Sequence, residues 1–472
     1  MPPTLALFVT AGLIALLLWR DGRRQAPVGR ALWLPVLWVF LISSKFVGQW
    51  LAVFGISGGG QVAMEDGSAL DAVVFLALIL AGVGVLVRRG TSVPRVVADN
   101  WPVVLFLLFG LLSVAWSDFP FVALKRWVKA LGHPVMALVV LSEVNPTQAI
   151  RRLVTRSAIL YAPLAVLVIK YYPWLGRGFD PWSGAATNHG ISNTKNDLGY
   201  VCMFLAVGLF WNLMCARRTD PPVVRRDETL LSVFLLGLVL WLLLKSNSAT
   251  SSVCVALGVA TLVALGLRFV NTRLAWLYTL VAVTLGAVAE VLFGVSRHVY
   301  TLVGRDSTLT DRSEVWADVL AMDFNPLVGT GFESFWLGPR LEALWDRWWW
   351  QPNQAHNGYI ETYINLGLIG LVLLAVVSLA AFSKAQRDLQ SSPDLGRFRF
   401  AWLLMILTYN YTEATFKGVH LVWTVFHLIA MDYTRQPIGQ RRGAALGGRE
   451  VLRPAVRPRR ATQAAHVSQA RS

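Results

Sequence analysis

Apolar runs of 15–24 residues recur along the whole chain, at 4–19, 31–54, 69–87, 101–116, 127–143, 157–172, 197–216, 229–245, 250–270, 274–294, 359–382, 400–416 and 419–433. None alternates with a period of two. In hydrocarbon an isolated segment satisfies its own backbone polar groups only as a helix, so these runs read as membrane-spanning helices. The pattern predicts an all-α, polytopic helical membrane protein of about 12–13 spans. The segments 400–416 and 419–433 are short for a full crossing and read as tilted, broken or re-entrant. Most connections are brief, and the exception is the polar stretch Phe293–Gly358. Within it Thr310 and Ser313 offer helix caps, and Arg312, Trp316 and Leu320 recur at one-turn spacing, which predicts a surface helix over 311–322. NPLVGTGFES, at 325–334, has the proline and glycine density of a structured turn.

Composition agrees with the pattern. Of 472 residues 55% are hydrophobic and only 15% charged, with a mean hydropathy of +0.53, which excludes an ordinary soluble domain. A net charge of +16 would suggest nucleic-acid binding in a soluble protein, but 29 of the 43 lysines and arginines lie in every second connection or in the tail. That asymmetry is a topology signal and argues for no nucleic-acid partner. It places Arg20–Arg30, Arg88–Arg95, Arg151–Arg156, Arg217–Arg226, Arg268–Arg273, Lys384–Arg399 and the tail in the cytoplasm. Leu5–Trp19 then reads as a retained first span with the N-terminus outside. Gly55–Ser68, Ser117–Lys125, Lys170–Asn196, Ser246–Ala249 and the 293–358 loop face the outer side. The reading gives one transmembrane domain, 1–433, followed by a disordered basic tail, 434–472, that contacts anionic membrane lipid. Cys202, Cys215 and Cys254 have no ligand spacing, and neither a disulfide nor a metal site nor any cofactor is indicated. Trp348, Trp349 and Trp350 read as an interfacial anchor, with a platform for stacking sugar rings as the alternative.

The segments GRDSTLTDRSEVW, NPLVGTGFESFW and AHNGYIETYINLGLIG, together with WSDFP at 116–120, TKNDLG at 194–199, SNSATSS at 246–252 and NYTEATF at 410–416, resemble the O-antigen ligase and polysaccharide polymerase superfamily. Within it the likeness is greatest to the exopolysaccharide-production polymerases. The resemblance implies a GT-C-type glycosyltransferase architecture at the bacterial inner membrane, with an active site facing the periplasm. Its implied partners are a polyprenyl-pyrophosphate-linked glycan donor, a glycan or lipid-linked acceptor and polysaccharide-export machinery. It also implies that no metal is needed, that an arginine, here Arg312, engages the pyrophosphate, and that a histidine, here His356, is the general base. The chemistry of those residues agrees: a guanidinium grips phosphate through a planar fork, and neutral imidazole accepts a hydroxyl proton near neutral pH. A second basic residue usual in the family is replaced by Ala249 within SNSATS. Lys245, Lys195, Arg177 and Arg305 are candidates for its role, and Asn196, Asn357 and Glu361 complete the substrate-binding set. Glu413 is a further intramembrane carboxylate by this reading, and His420 is packed within a span. A lipid-linked oligosaccharide flippase or other export transporter is the alternative from another class. The polar residues, however, crowd into one outer loop rather than at midplane helix breaks.

Overall fold

The computed structural model of the chain describes residues 1–23, 28–56, 68–180, 184–219, 221–293 and 312–433. Arg305 and the tail from 434 lie outside these residues. The protein is a polytopic helical membrane protein, and among the described residues one small sheet pairs Arg177–Phe179 antiparallel with Ala186–Asn188. Among the described residues six helices are long and apolar enough to cross a membrane alone: Pro3–Arg23, Ala69–Arg88, Pro146–Tyr171, Lys195–Arg218, Val224–Ser246 and Gly358–Ser391. Two bent pairs, Arg30–Ser43 with Val47–Val53 and Val93–Asp99 with Trp101–Trp116, bring the number to eight. Among the described residues, helix length and composition support six to eight of the 12–13 spans expected from sequence. Of the remaining apolar runs, some are helical but short, as in Ala249–Ala264 and Leu421–Ala430, others lie in longer helices, Ala275–Phe293 and Pro393–Thr412, and one is interrupted. The 127–143 run divides into Pro120–Ala130 and Gly132–Leu141. Gly132 lies so close to the Trp38 ring that any Cβ would overlap it.

Pro146–Tyr171 and Lys195–Thr219 form the buried centre, while Pro3–Arg23 is almost wholly exposed along its apolar length. An apolar helix that exposes its side chains needs lipid around it.

The end of the bundle remote from the long loop holds ion pairs where sequence suggested solvated basic connections. Arg152 and Arg156 are buried within the Pro146–Tyr171 helix, and both reach Asp21, at 2.9 and 2.7 Å; Arg152 also meets Glu228 at 3.0 Å. Arg399 is buried in the Pro393–Thr412 helix and pairs with Asp388 and Asp432, each at 2.6 Å. The segments 151–156 and 384–399 are thus mostly helix rather than loop. Composition could not reveal this, because the neutralising carboxylates come from distant parts of the chain.

The described part of the long loop, from residue 312 on, folds onto the Gly358–Ser391 helix. That helix breaks at Gly367, where φ is +64°. The backbone groups freed by the break are taken up by NPLVGTG: Leu368 and Ile369 N–H donate to Pro326 and Leu327 C=O, and Thr330 and Gly331 N–H donate to Ile364 and Asn365 C=O. A Cβ at Gly367 would overlap the Leu327 backbone, and one at Gly329 would overlap Asn365, so each motif supplies the glycine that the other needs. Beside this junction Val315, Val319, Phe335, Trp336, Leu341, Leu344 and Trp348 make a separate apolar core within the loop. Arg312–Ala321 is helical as expected, but Val315 and Val319 are buried, so it is a core helix and not merely a surface one. Trp348 is likewise packed inside, donating to Asp318 at 2.9 Å, and of the three tryptophans Trp349 is the exposed one.

Candidate active site

His356 stands at the mouth of the Gly358–Ser391 helix. Asn357 caps that helix, its Oδ1 accepting from Tyr359 and Ile360 N–H, while its Nδ2 donates to Tyr411 C=O at 3.1 Å. Gly358 N–H donates to Glu413 C=O, and a Cβ at Gly358 would overlap Asn410 Oδ1. AHNGY and NYTEATF are therefore interlocked residue by residue. Trp316 closes the arrangement from the loop side by donating to Ala355 C=O at 2.6 Å.

The lock brings four side chains together. Glu413 Oε2 lies 3.3 Å from His356 Nδ1, and Glu413 Oε1 accepts from Arg312 Nη2 and from Asn196 Nδ2, each at 3.3 Å. Arg312 Nη1 donates to Thr412 C=O. These bonds use two of the five guanidinium donors. Burial alone would push the Glu413 carboxyl up, but Arg312 first and His356 with it outweigh that, holding it well below the usual carboxylate range. Burial drives His356 below its ordinary value, Glu413 opposing and Arg312 assisting, so the imidazole is neutral near pH 7. With Nδ1 facing the carboxylate, Nε2 is the nitrogen left for a substrate proton. His356 has φ +48°, and the described non-glycine residues that share such a backbone are Asn247, Glu333 and Gln351. Strain of that kind gathers where surrounding packing over-determines a functional geometry.

A cavity of about 480 Å³ opens beside this cluster, lined among others by His356, Glu413, Lys195, Asn196, Lys417 and His420. Of the residues expected from sequence, His356, Lys195 and Asn196 line it, and Lys195 is paired with Asp180. Arg312 sits behind Glu413 and is not part of the lining. Asn357 serves the helix cap. Glu361 accepts from Trp336 Nε1 at 2.8 Å and Ala355 N–H at 3.0 Å, which makes it a brace for the turn before His356. Arg177 donates to Ile169 C=O, and exposed Lys245 lies over the Trp241 ring; neither lines the cavity. Arg305 is outside the described residues. Ala249 begins the Ala249–Ala264 helix, and its neighbour Thr250 bonds to Thr412, one residue from Glu413. Position 249 is thus next to the cluster. Lys417 and His420 were missing from the sequence-derived set because the apolar patterning assigned 400–416 and 419–433 to spans. The structure ends the first helix at Thr412 and caps the next with His420, which puts 413–420 in a connection. Among the described residues no group of His, Cys, Asp and Glu is placed to hold a metal ion.

Residues 232–375, which include Arg312 and His356, match the family model described as O-antigen ligase. The chain is also 27% identical over 303 residues to the exopolysaccharide production protein ExoQ of Rhizobium meliloti (strain 1021). Both likenesses point to the O-antigen ligase and exopolysaccharide polymerase families. The ExoQ match covers 59% of this chain and 63% of that protein, less than two thirds of the relative's length. The family match ends at residue 375, so Glu413 and Lys417 lie beyond the matched region although Glu413 completes the cluster and Lys417 lines the cavity.

Proposed function

We propose that this protein is a glycosyltransferase that moves a glycan from a polyprenyl-pyrophosphate carrier to an acceptor hydroxyl at the periplasmic face of the inner membrane. The observation that carries the reading is the Arg312–Glu413–His356 cluster at the edge of a polar cavity whose lining sets Lys195 and Lys417 beside Asp180, Asp197 and Glu413. His356 Nε2 takes the proton of the acceptor hydroxyl as its oxygen attacks the anomeric carbon. The bond from that carbon to the phosphate oxygen breaks, and its electron pair leaves with the diphosphate. Glu413 holds the ring in the useful tautomer and stabilises the imidazolium that forms, as a positioning residue. The ammonium groups of Lys195 and Lys417, which line the cavity, stabilise charge growing on the leaving diphosphate, and Arg312, behind Glu413, keeps that carboxylate ionised. Lys417 takes the part left open by Ala249. Cations doing this work make a divalent ion unnecessary, and turnover is expected to survive EDTA. Loss of activity on chelation, restored by magnesium, would overturn that. Polysaccharide-export machinery is the natural recipient of the product.

The test is release of polyprenyl diphosphate and lengthening of glycan by purified protein in lipid nanodiscs. His356→Ala should slow both on the order of 10²–10⁴-fold. A variant that turns over at the wild-type rate would sink the assignment, as would wild-type protein that moves the lipid-linked glycan across vesicles without transferring it.

A further inference from the structure

With His356, Glu413, Lys195 and Lys417 in their roles, one histidine on the wall of the same cavity is left without one. His420 lines the cavity beside His356, and its two ring nitrogens differ. Nδ1 accepts from Val422 N–H at 3.1 Å and so caps the Leu421–Ala430 helix. An imidazole nitrogen that accepts carries no hydrogen, so the single proton of the neutral ring is on Nε2. Burial first, and the Lys417 charge after it, hold the His420 pKa down at about 3 against the pull of Glu413, so the ring is neutral near pH 7. His356 has the opposite tautomer, because its Nδ1 faces Glu413 and its Nε2 is the bare nitrogen. One cavity thus holds two imidazoles, one ready to accept a proton and one able only to donate a hydrogen bond.

The Nε2–H of His420 has no acceptor among the described residues. Glu413, whose charge acts on the ring, has its oxygens engaged by His356, Arg312 and Asn196. Three donors that share the cavity are already held from within: Lys195 by Asp180, Asn196 by Glu413, and Lys417, at 3.7 Å, by Glu361. The His420 ring is fixed as well, since Nδ1 is tied to Val422 and the ring packs on Tyr200 with 4.3 Å between centroids. A fixed N–H without a partner on the wall of a polar cavity is matched by an acceptor on the ligand. His420 lies three residues from Lys417 in the 413–420 connection, and the two line this cavity together, so the N–H and the ammonium act on the same group.

We infer that His420 is a further catalytic residue, whose Nε2–H donates to the phosphate oxygen that parts from the donor's anomeric carbon. This rests on the glycosyl-transfer reading and deepens it. As the carbon–oxygen bond breaks, its electron pair passes to that oxygen, and the hydrogen bond strengthens with the growing charge. No proton moves to the diphosphate: a neutral imidazole that gave one up would become an imidazolate, so the hydrogen stays on Nε2. The proton that does move is that of the acceptor hydroxyl, and it goes to His356.

Two substitutions separate the two nitrogens, because an Asn amide reaches the place of Nδ1 and a Gln amide that of Nε2. In the full chain in lipid nanodiscs, His420→Asn keeps a cap for Val422 N–H and removes the cavity donor. Its thermal transition should hold, while kcat for transfer from a polyprenyl-diphosphate-linked glycan falls on the order of 10–100-fold, the loss of one hydrogen bond to a charged group, with donor KM little changed. His420→Gln restores the donor and loses the cap, so it should melt a few degrees lower and yet recover most of the rate lost in His420→Asn. His420→Asn at the wild-type rate would overturn the inference. A raised donor KM with kcat unmoved would do so too, because it would mean a contact made equally before and in the transition state. A folded His420→Gln no faster than His420→Asn would make the ring a structural cap and nothing more. Should His420→Asn fold poorly, His420→Gln decides alone: a rate within about tenfold of wild type supports the donor and a larger loss refutes it. Wild-type protein that transfers no glycan would sink the glycosyl-transfer reading itself, an outcome visible before any variant is made.

Discussion

At the scale of single residues, the chemistry depends on how Glu413 is held. Arg312 keeps its carboxyl ionised, and the ionised carboxylate supports the protonated form of His356, which burial opposes. The sign of the pH dependence follows. His356 has its pKa lowered, so its neutral, basic form persists below pH 6.5, and the acid limb of kcat/KM should fall below that value. Glu413→Gln preserves shape but removes the contribution that raises the imidazole. The rate should drop by about 10²-fold or more, and the acid limb should move still lower in pH. An acid limb that moved upward, or did not move, would refute the pairing. Arg312→Lys keeps the charge but loses the planar fork that spans Thr412 C=O and Glu413, and it should be impaired as well.

Among the elements, the broken Gly358–Ser391 helix and the NPLVGTG turn define one another. Gly367 needs both its positive φ and the space above its Cα. Gly367→Ala should therefore lower the thermal transition of the solubilised protein by several degrees, as about 1–3 kcal/mol of overlap and strain would require. Gly84→Ala is the contrast: it lies in the Ala69–Arg88 helix with nothing within 4 Å of a new Cβ, and it should be neutral or slightly stabilising. Equal losses in the two variants would mean that the junction is not special.

For the molecule as a whole, buried charge at the end remote from the loop fixes the helices against one another. Asp21→Asn would leave Arg152 and Arg156 short of a charge partner, at a cost of about 3–5 kcal/mol, visible as a lower unfolding temperature in detergent. Orientation is testable too, because Cys202, Cys215 and Cys254 are all buried. In intact spheroplasts an impermeant maleimide should label Trp349→Cys in the loop and should reach Ser391→Cys, exposed at the other end, only after permeabilisation. The reverse pattern would invert the proposed topology.

The sequence by itself determined the helical, lipid-embedded class of the protein, since uninterrupted apolar runs admit no other backbone solution in hydrocarbon. His356 and Arg312 were singled out by the resemblance of their loop motifs to the O-antigen ligase and polymerase superfamily. Tertiary structure decided which helices are long enough to cross and which basic segments are buried in ion pairs. It also decided that Glu413 joins Arg312 to His356 and that Lys417 and His420 face the cavity. Those outcomes depend on contacts between residues tens to hundreds of positions apart, such as Asp21 with Arg152 and Arg312 with Glu413. A pattern with a period of a few residues records which face of a helix is apolar. It carries no information about which distant side chain will meet that face.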